Sequence, residues 1–380
     1  MIVAAPPPPL PLPPAFTPPA IEQPASRQVS YGIVSGRAAP GARRVVVTVN
    51  GHVLAARSLE RRRFSLRVEL PVGDQAVRVT TIAESGRRSS AVVKDVFGLP
   101  GSAAPLRARV AMNDRVLSGD LRGLVRRHRG TAAVYVESLV DGRGAAWNAR
   151  ARFPAASTLK LAIAATVLAA HPVVPERSSS ISRLLRELTT VSDDRAANAL
   201  LVWLGGSTSA GGRRVDALMR SIGLVDTLMY GGYETRTLST GIPVRVESQP
   251  AFGVGKYTTA SDMAALWRAL WLASGDRGPL RRAQLGLTPP EARHLLWLAA
   301  RVRDTPKLDR ALRGRPRIAV LHKAGWISSS RHDTGLVFWR GGVFVACVMT
   351  WRLGGAGASS DVLAGRVASV SLDHFRRRGR

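Results

Sequence analysis

A serine and a lysine stand three residues apart in Phe153-Pro-Ala-Ala-Ser-Thr-Leu-Lys160, at the entrance to an apolar stretch that includes Leu159, Ile163 and Val167. On a helix that spacing places the Ser157 hydroxyl and the Lys160 amine on one face. At a helix start, backbone N–H groups and the helix dipole stabilise a forming alkoxide, and a nearby amine can take or relay its proton. Capping is the other common use of a serine at this position. Two more stretches carry compatible groups. Val191-Ser-Asp-Asp-Arg-Ala-Ala-Asn-Ala-Leu200 sets Ser192 before an acidic helix start, and His322-Lys-Ala-Gly-Trp326 sets Lys323 beside Gly325. Ser192 suits a proton relay, Asp193 a helix start, and Gly325 a close backbone approach to a ligand.

Lysine itself is a signal in this chain. Of 55 basic residues only five are lysine, namely Lys94, Lys160, Lys256, Lys307 and Lys323, and all the others are arginine. Both motif positions nonetheless carry lysine. The chemical reason is that a desolvated lysine near another cation can give up its proton, whereas arginine effectively cannot.

With these residues in view, the chain from about residue 107 to 380 resembles the superfamily of class A β-lactamases and D-alanyl-D-alanine peptidases, whose signatures are S-x-x-K, S-D-N and K-T-G. Ala155-Ala-Ser-Thr-Leu-Lys160, Ser192-Asp-Asp-Arg-Ala-Ala-Asn198, Tyr257-Thr-Thr-Ala-Ser-Asp-Met263 and Lys323-Ala-Gly325 follow the family's order. The resemblance implies that Ser157 is the nucleophile, that Lys160 and Ser192 move protons, and that Lys323 orients a substrate carboxylate. It further implies that Asp194, Lys323, Ala324, Gly325 and Trp326 line the substrate site, with the Trp326 and Ser157 N–H groups forming an oxyanion hole.

The departures from the family pattern are informative. Asp194 replaces the S-D-N asparagine, and an ionised carboxylate cannot donate the amide's hydrogen bond. Ala324 replaces the K-T-G threonine and removes a hydroxyl; Arg331 is a candidate substitute or simply one more arginine, the second being favoured. Ser192 follows Ser157 by 35 positions, which implies a trimmed helical subdomain. For the deacylating carboxylate that the resemblance implies in a β-lactamase, Glu247 is the nearer candidate and Glu234 lies well upstream, a solvated loop carboxylate being the favoured reading of each.

The elements needed to position these groups divide the chain into four segments. Residues 1–28 are proline-rich and read as a disordered tether. Residues 29–98 hold short alternating stretches, Val45–Val49, His52–Ala56, Phe64–Leu70 and Ala76–Ile82, with Asn50-Gly51 suited to a type I′ hairpin. They read as an all-β sandwich that resembles bacterial immunoglobulin-like modules in pattern and size. Residues 99–106 read as a linker. Residues 107–380 read as an α+β domain, an antiparallel sheet flanked by helices near 157–170, 193–204, 214–222, 260–273 and 290–302, with closing strands at 334–339 and 343–351 and an amphipathic stretch from 359 to 375.

Composition narrows the rest. The single cysteine, Cys347, lies in an apolar strand, which excludes an intrachain disulfide and a multi-cysteine metal site. No H-E-x-x-H occurs, and Gly205-Gly-Ser-Thr-Ser209 lacks the last glycine of a nucleophile elbow. His322 is read as packing. No cofactor or metal is expected. The formal net charge of +29 attracts polyanions, among them an anionic cell-wall polymer, yet its scatter along the chain, without a nucleic-acid-binding motif, argues against specific nucleic acid and favours biased codon usage as its cause. No stretch is apolar enough for a transmembrane helix, and no signal peptide is evident, so either the true start lies upstream or export is absent; the implied substrate, a β-lactam or a peptidoglycan stem peptide, points to a secreted or envelope-associated location, and a monomer is expected.

Overall fold

The computed structural model describes residues 16–233, 255–304 and 306–378. Its first part is built of strands β1 (Ala20–Gln23), β2 (Gln28–Ser30), β3 (Ile33–Arg37), β4 (Ala42–Val49), β5 (His52–Ser58), β6 (Arg63–Arg67), β7 (Gly73–Ala83) and β8 (Arg88–Gly98). They form two sheets, ordered β1-β3-β6 and β2-β8-β7-β4-β5. Alternate residues of both sheets, among them Val34, Phe64, Val45, Val47, Val77 and Val79, meet in one core. The expected hairpin joins β4 to β5 with Asn50 and Gly51 both at positive φ, 50° and 81°.

The strands begin earlier than the Val29 boundary. Residues 20–23 pair with β3, so the proline-rich segment gives way to sheet inside the stretch read as a tether. Residues 99–106 are also more than a connector. Leu99 and Ala103 are fully buried, a 3₁₀ turn spans Gly101–Ala103, and the Trp271 indole N–H donates to the Ala103 carbonyl at 2.9 Å. Apolar side chains within a glycine- and proline-punctuated stretch dock it onto the second part of the molecule.

That second part is organised on a six-stranded sheet of β9 (Met112–Asn113), β10 (Thr131–Ser138), β11 (Arg143–Trp147), β14 (Ala319–Ile327), β15 (Ser330–Trp339) and β16 (Gly342–Trp351). The order is β14-β15-β16-β10-β11-β9, antiparallel except for the β11–β9 pair. β16 explains the architecture. Val343, Val345, Cys347 and Met349 enter one core, while Phe344, Ala346 and Val348 enter another. A strand covered on both faces is apolar at every position rather than at alternate ones. One face packs against α1 (Arg115–Arg126) and α9 (Ala358–Arg378). The other packs against a helical layer that includes α2 (Lys160–Ala170), α6 (Ala260–Ser274) and α8 (Pro289–Ala299).

Several elements escape the sequence pattern, α1 among them. β14 carries the His322–Trp326 stretch, but its lysine and glycine hide the strand signal. A short helix α3 (Ser180–Arg186) continues into a π turn, Glu187–Val191, ahead of Ser192. Helix α5 (Thr208–Ser221) starts upstream of the expected 214 because Gly211 and Gly212 lie inside it. A Cβ at Gly211 would stand 2.0 Å from the Leu201 carbonyl oxygen of α4 (Asp194–Gly205). The glycine therefore serves close helix packing, not a loop. Gly211→Ala is expected to push α5 from α4 and to lower stability by about 1–3 kcal/mol, read as a reduced Tm.

Candidate active site

Ser157 lies in a 3₁₀ turn, Ala156–Leu159, that leads directly into α2. The residue before it, Ala156, has φ +47°, a left-handed conformation that a side-chain-bearing residue seldom adopts. The turn is held from both sides. The Ala155 N–H donates to the Lys256 carbonyl at 2.9 Å, as part of the pairing of β12 (Phe153–Pro154) with β13 (Tyr257–Thr258). Behind it, His332 of β15 contacts the Pro154 carbonyl through Nε2 at 2.7 Å, while its Nδ1 accepts from the Thr350 N–H at 3.1 Å. Accepting at Nδ1 makes Nε2 the donor, and burial pushes this imidazole down to about 4, so it is neutral and structural.

The sheet edge reaches the same turn. A Cβ on Gly325 would lie 2.7 Å from the backbone nitrogens of both Ser157 and Thr158, so only glycine lets β14 approach this closely. Ser157 is itself half-buried, in reach of solvent. Trp326, the next residue along β14, is 59% exposed at the mouth of the site.

Lys160 and Lys323 are fully buried, each with 0% exposure. Lys160 Nζ donates to the Ser192 carbonyl, to the Asp194 carboxylate and, at 3.3 Å, to Ser192 Oγ. Lys323 Nζ donates to the same Ser192 Oγ at 2.9 Å and to the Ala324 carbonyl at 2.9 Å. A hydroxyl oxygen has two lone pairs and one proton. With both lone pairs taken by the two amines, the Ser192 O–H is left to donate to a third partner. Ser192 reaches this position through a left-handed backbone, φ +61°, at the end of the π turn. Burial, reinforced by the Lys160 charge, pulls Lys323 down to about 7.

The residues singled out in the sequence thus converge. Hydrogen bonds join Lys160, Ser192, Asp194, Lys323 and Ala324, and Gly325, followed by Trp326, brings the same strand against the Ser157 turn, while Glu247 and Glu234 lie outside the described residues. Asp193 caps α4 through the Ala196 N–H at 2.7 Å. Asp194 is engaged by Lys160. Arg331 is paired in bidentate fashion with Asp361 of α9, at 3.2 and 2.8 Å, and is therefore tied to a structural partner. His322 packs as expected, its Nδ1 2.9 Å from both Asp333 oxygens; burial, the largest single effect, would lower it, but the Asp333 charge and hydrogen bond together with the Asp309 charge hold it above its ordinary value.

Two residues of the cluster were missed. Tyr233, 7% exposed, directs its hydroxyl to the Ala156 carbonyl at 3.2 Å, and the Lys160 amine lies 4.7 Å from its ring centroid. Lys256 Nζ lies 4.6 Å from the same ring. The scarcity of lysine was the available signal for Lys256. Nothing in the local pattern marked Tyr233, whose role depends on contacts with distant residues.

The sequence profile of the β-lactamase enzyme family matches residues 116–171 and 173–375. No curated protein matches the chain. Among solved structures, PBP-A is similar at 19% identity, TM-score 0.56, over 71% of this chain and 100% of that one. A β-lactamase from Sphaerobacter thermophilus is similar at 17% identity, TM-score 0.53, over 68% and 96%. An ancestral class A β-lactamase is similar at 23% identity, TM-score 0.53, over 68% and 100%. These likenesses establish a shared fold for the second part of the molecule.

Gly325→Ala tests the close approach described above. The added methyl collides with the backbone nitrogens of Ser157 and Thr158; loss of one oxyanion donor at a serine-hydrolase site costs about 100-fold or more in rate. The expected outcome is a folded protein, by circular dichroism, whose covalent labelling by a fluorescent penicillin falls by that order.

Proposed function

This chain belongs to the β-lactamase enzyme family, and from that premise we propose that it opens a β-lactam or a D-alanyl amide through an acyl-enzyme on Ser157. The observation that carries the reading is the shared Ser192 hydroxyl, which accepts from both buried lysines. Ser157 Oγ attacks the carbonyl carbon, and its proton leaves by way of Lys160. The Ser192 O–H gives its proton to the departing amide nitrogen and takes one in turn from Lys160, so that the proton lost by Ser157 ends on the leaving group and both relay groups are restored. The N–H groups of Ser157 and Trp326 receive the oxyanion. Lys323 meets the substrate carboxylate as a point charge, and with Ala324 beside it no hydroxyl shares that task.

The fate of the acyl-enzyme divides the possible activities. Fast hydrolysis, as in a β-lactamase, requires a carboxylate that directs water, for which Glu247 is the proposed source. The peptidase-like alternative, in which acyl groups accumulate, is favoured by what lies against Lys160, an aromatic ring and a carboxylate already committed to an ion pair. A degenerate wall-binding protein is the third reading; it gives no reason for burying two amines at such desolvation cost. We further propose that the N-terminal sandwich is an immunoglobulin-like module and that the protein works at the cell envelope, where an anionic polymer would attract its basic surface.

A fluorescent penicillin is expected to label the wild-type protein covalently and to leave Ser157→Ala unlabelled; equal labelling of the two would remove Ser157 from the mechanism. Chromogenic cephalosporin then reports turnover, a burst of one equivalent for the peptidase-like reading and continuous hydrolysis for the β-lactamase.

The Lys323 charge has a pH signature. It is present below about 7 and lost as pH rises through that value. The second-order rate of labelling by an anionic penicillin is therefore expected to fall about tenfold per unit above this point, on an alkaline limb that belongs to the free enzyme. Lys323→Arg keeps its charge and should lack that limb, as measured by labelling rates between about pH 5.5 and 9.

A further inference from the structure

We infer that Tyr233 is a positioning residue of this site, fixing the turn that carries Ser157 and holding the Lys160 and Lys256 amines against its ring. The inference deepens the proposed acylation chemistry and rests on it for its kinetic consequence.

Tyr233 is clamped at its backbone. The Asn198 side chain of α4 donates to the Tyr233 carbonyl at 2.8 Å and accepts from the Tyr233 N–H at 2.6 Å, an amide-to-amide pair that fixes both the height and the direction of the residue. Gly232 makes room for the clamp, since a Cβ there would stand 2.6 Å from Asn198 Oδ1. From this anchor the side chain crosses the site and its hydroxyl donates to the Ala156 carbonyl at 3.2 Å. Ala156 is the left-handed residue immediately before the nucleophile. A conformation of this kind persists only where its surroundings over-determine it, and the Tyr233 hydrogen bond is one of those determinants.

The ring does separate work. An aromatic face attracts an ammonium ion, most strongly where water is excluded. Lys160 and Lys256 both lie over this ring, at 4.7 and 4.6 Å from its centroid. The charged groups that face one another here are Lys160 of α2, Asp194 of α4, Lys323 of β14 and Lys256 beside β13. Burial works against the Lys256 charge, Asp194 supports it and Lys160 opposes it, with burial prevailing. Asp194 accepts from Lys160 and supports the Lys256 charge, and the π face adds attraction for both amines. It does so without adding negative charge where an anionic substrate must enter. The Tyr233 phenol cannot serve as a base, because burial first, and then the Asp194 charge, drive its ionisation far above the ordinary tyrosine value. Its part is to place other groups.

Having five lysines makes the amines directly observable. In protein labelled with ε-13C-lysine, the signals, assigned from single lysine variants, should show Lys160 and Lys256 displaced upfield by the ring, with Lys94 at an ordinary shift. In Tyr233→Leu the upfield displacement should vanish, and the titration midpoints of Lys160 and Lys256 should fall by about half to one pH unit, since removing a cation–π partner favours the neutral amine. Tyr233→Met serves the same purpose if the leucine variant does not fold. Tyr233→Phe keeps the ring and should keep both lysine signals. It loses the Ala156 contact, however, and its labelling by fluorescent penicillin should slow about three- to tenfold. The inference is overturned if removing the ring leaves the lysine signals and midpoints unchanged, or if Tyr233→Phe labels at the wild-type rate. Failure of the wild-type protein to react with penicillin would count against the acylation reading alone, because the lysine signals report the ring contacts without any substrate.

Discussion

Two buried amines sharing one hydroxyl is the arrangement on which the rest of the site depends. Lys160 and Lys323 come from a helix and a strand far apart in the chain, yet both donate to Ser192 Oγ. Removing an amine from water disfavours its charge, and placing a second amine nearby disfavours it further. Such a pair survives only where hydrogen-bond acceptors meet it. Here these are the Ser192 hydroxyl and carbonyl, the Ala324 carbonyl and the Asp194 carboxylate. The consequence is chemical. An amine such as Lys323, held near 7 by burial and the Lys160 charge, can exchange protons at neutral pH, which a fully solvated lysine cannot do.

This arrangement demands rigidity, and the fold supplies it by covering both faces of the sheet. β16 sends alternate side chains into two separate cores, and β15 beside it carries His332, which reaches past the sheet to the Pro154 carbonyl near the Ser157 turn. β14 lies at the end of the sheet, so one edge pairs with β15 while Gly325 meets the Ser157 turn on the other side. Two backbone positions and one turn around the cluster are held in uncommon states: Ala156 and Ser192 at positive φ, and the π turn that delivers Ser192. Strain concentrated where groups must be aimed is the expected cost of preorganisation.

Charge is partitioned in the same spirit. Arginines such as Arg61, Arg62, Arg63, Arg376, Arg377 and Arg378 are exposed, while Lys160, Lys307 and Lys323 are buried and Lys256 is largely so. A guanidinium cannot release its proton and is confined to the solvated surface or to paired positions such as Arg331 with Asp361. The buried site uses the one cation whose protonation a protein can adjust.

The amino-acid sequence determined the chemistry-bearing residues and their order. Ser157, Lys160, Ser192 and Lys323 were legible because residue type, spacing and the rarity of lysine are local or statistical properties. The apolar run of β16 and the Asn50-Gly51 hairpin were legible for similar reasons, since burial and turn geometry leave periodic or two-residue traces. What only the tertiary structure decided were relations between distant segments: Tyr233 against Ala156, Lys256 beside Lys160, Gly211 inside a helix, and the docking of Leu99 and Ala103. Each of these depends on which surfaces meet when the chain closes. A side chain's partner across the fold leaves no period in the sequence around it, so residues that act through such contacts can be found only once the contacts exist.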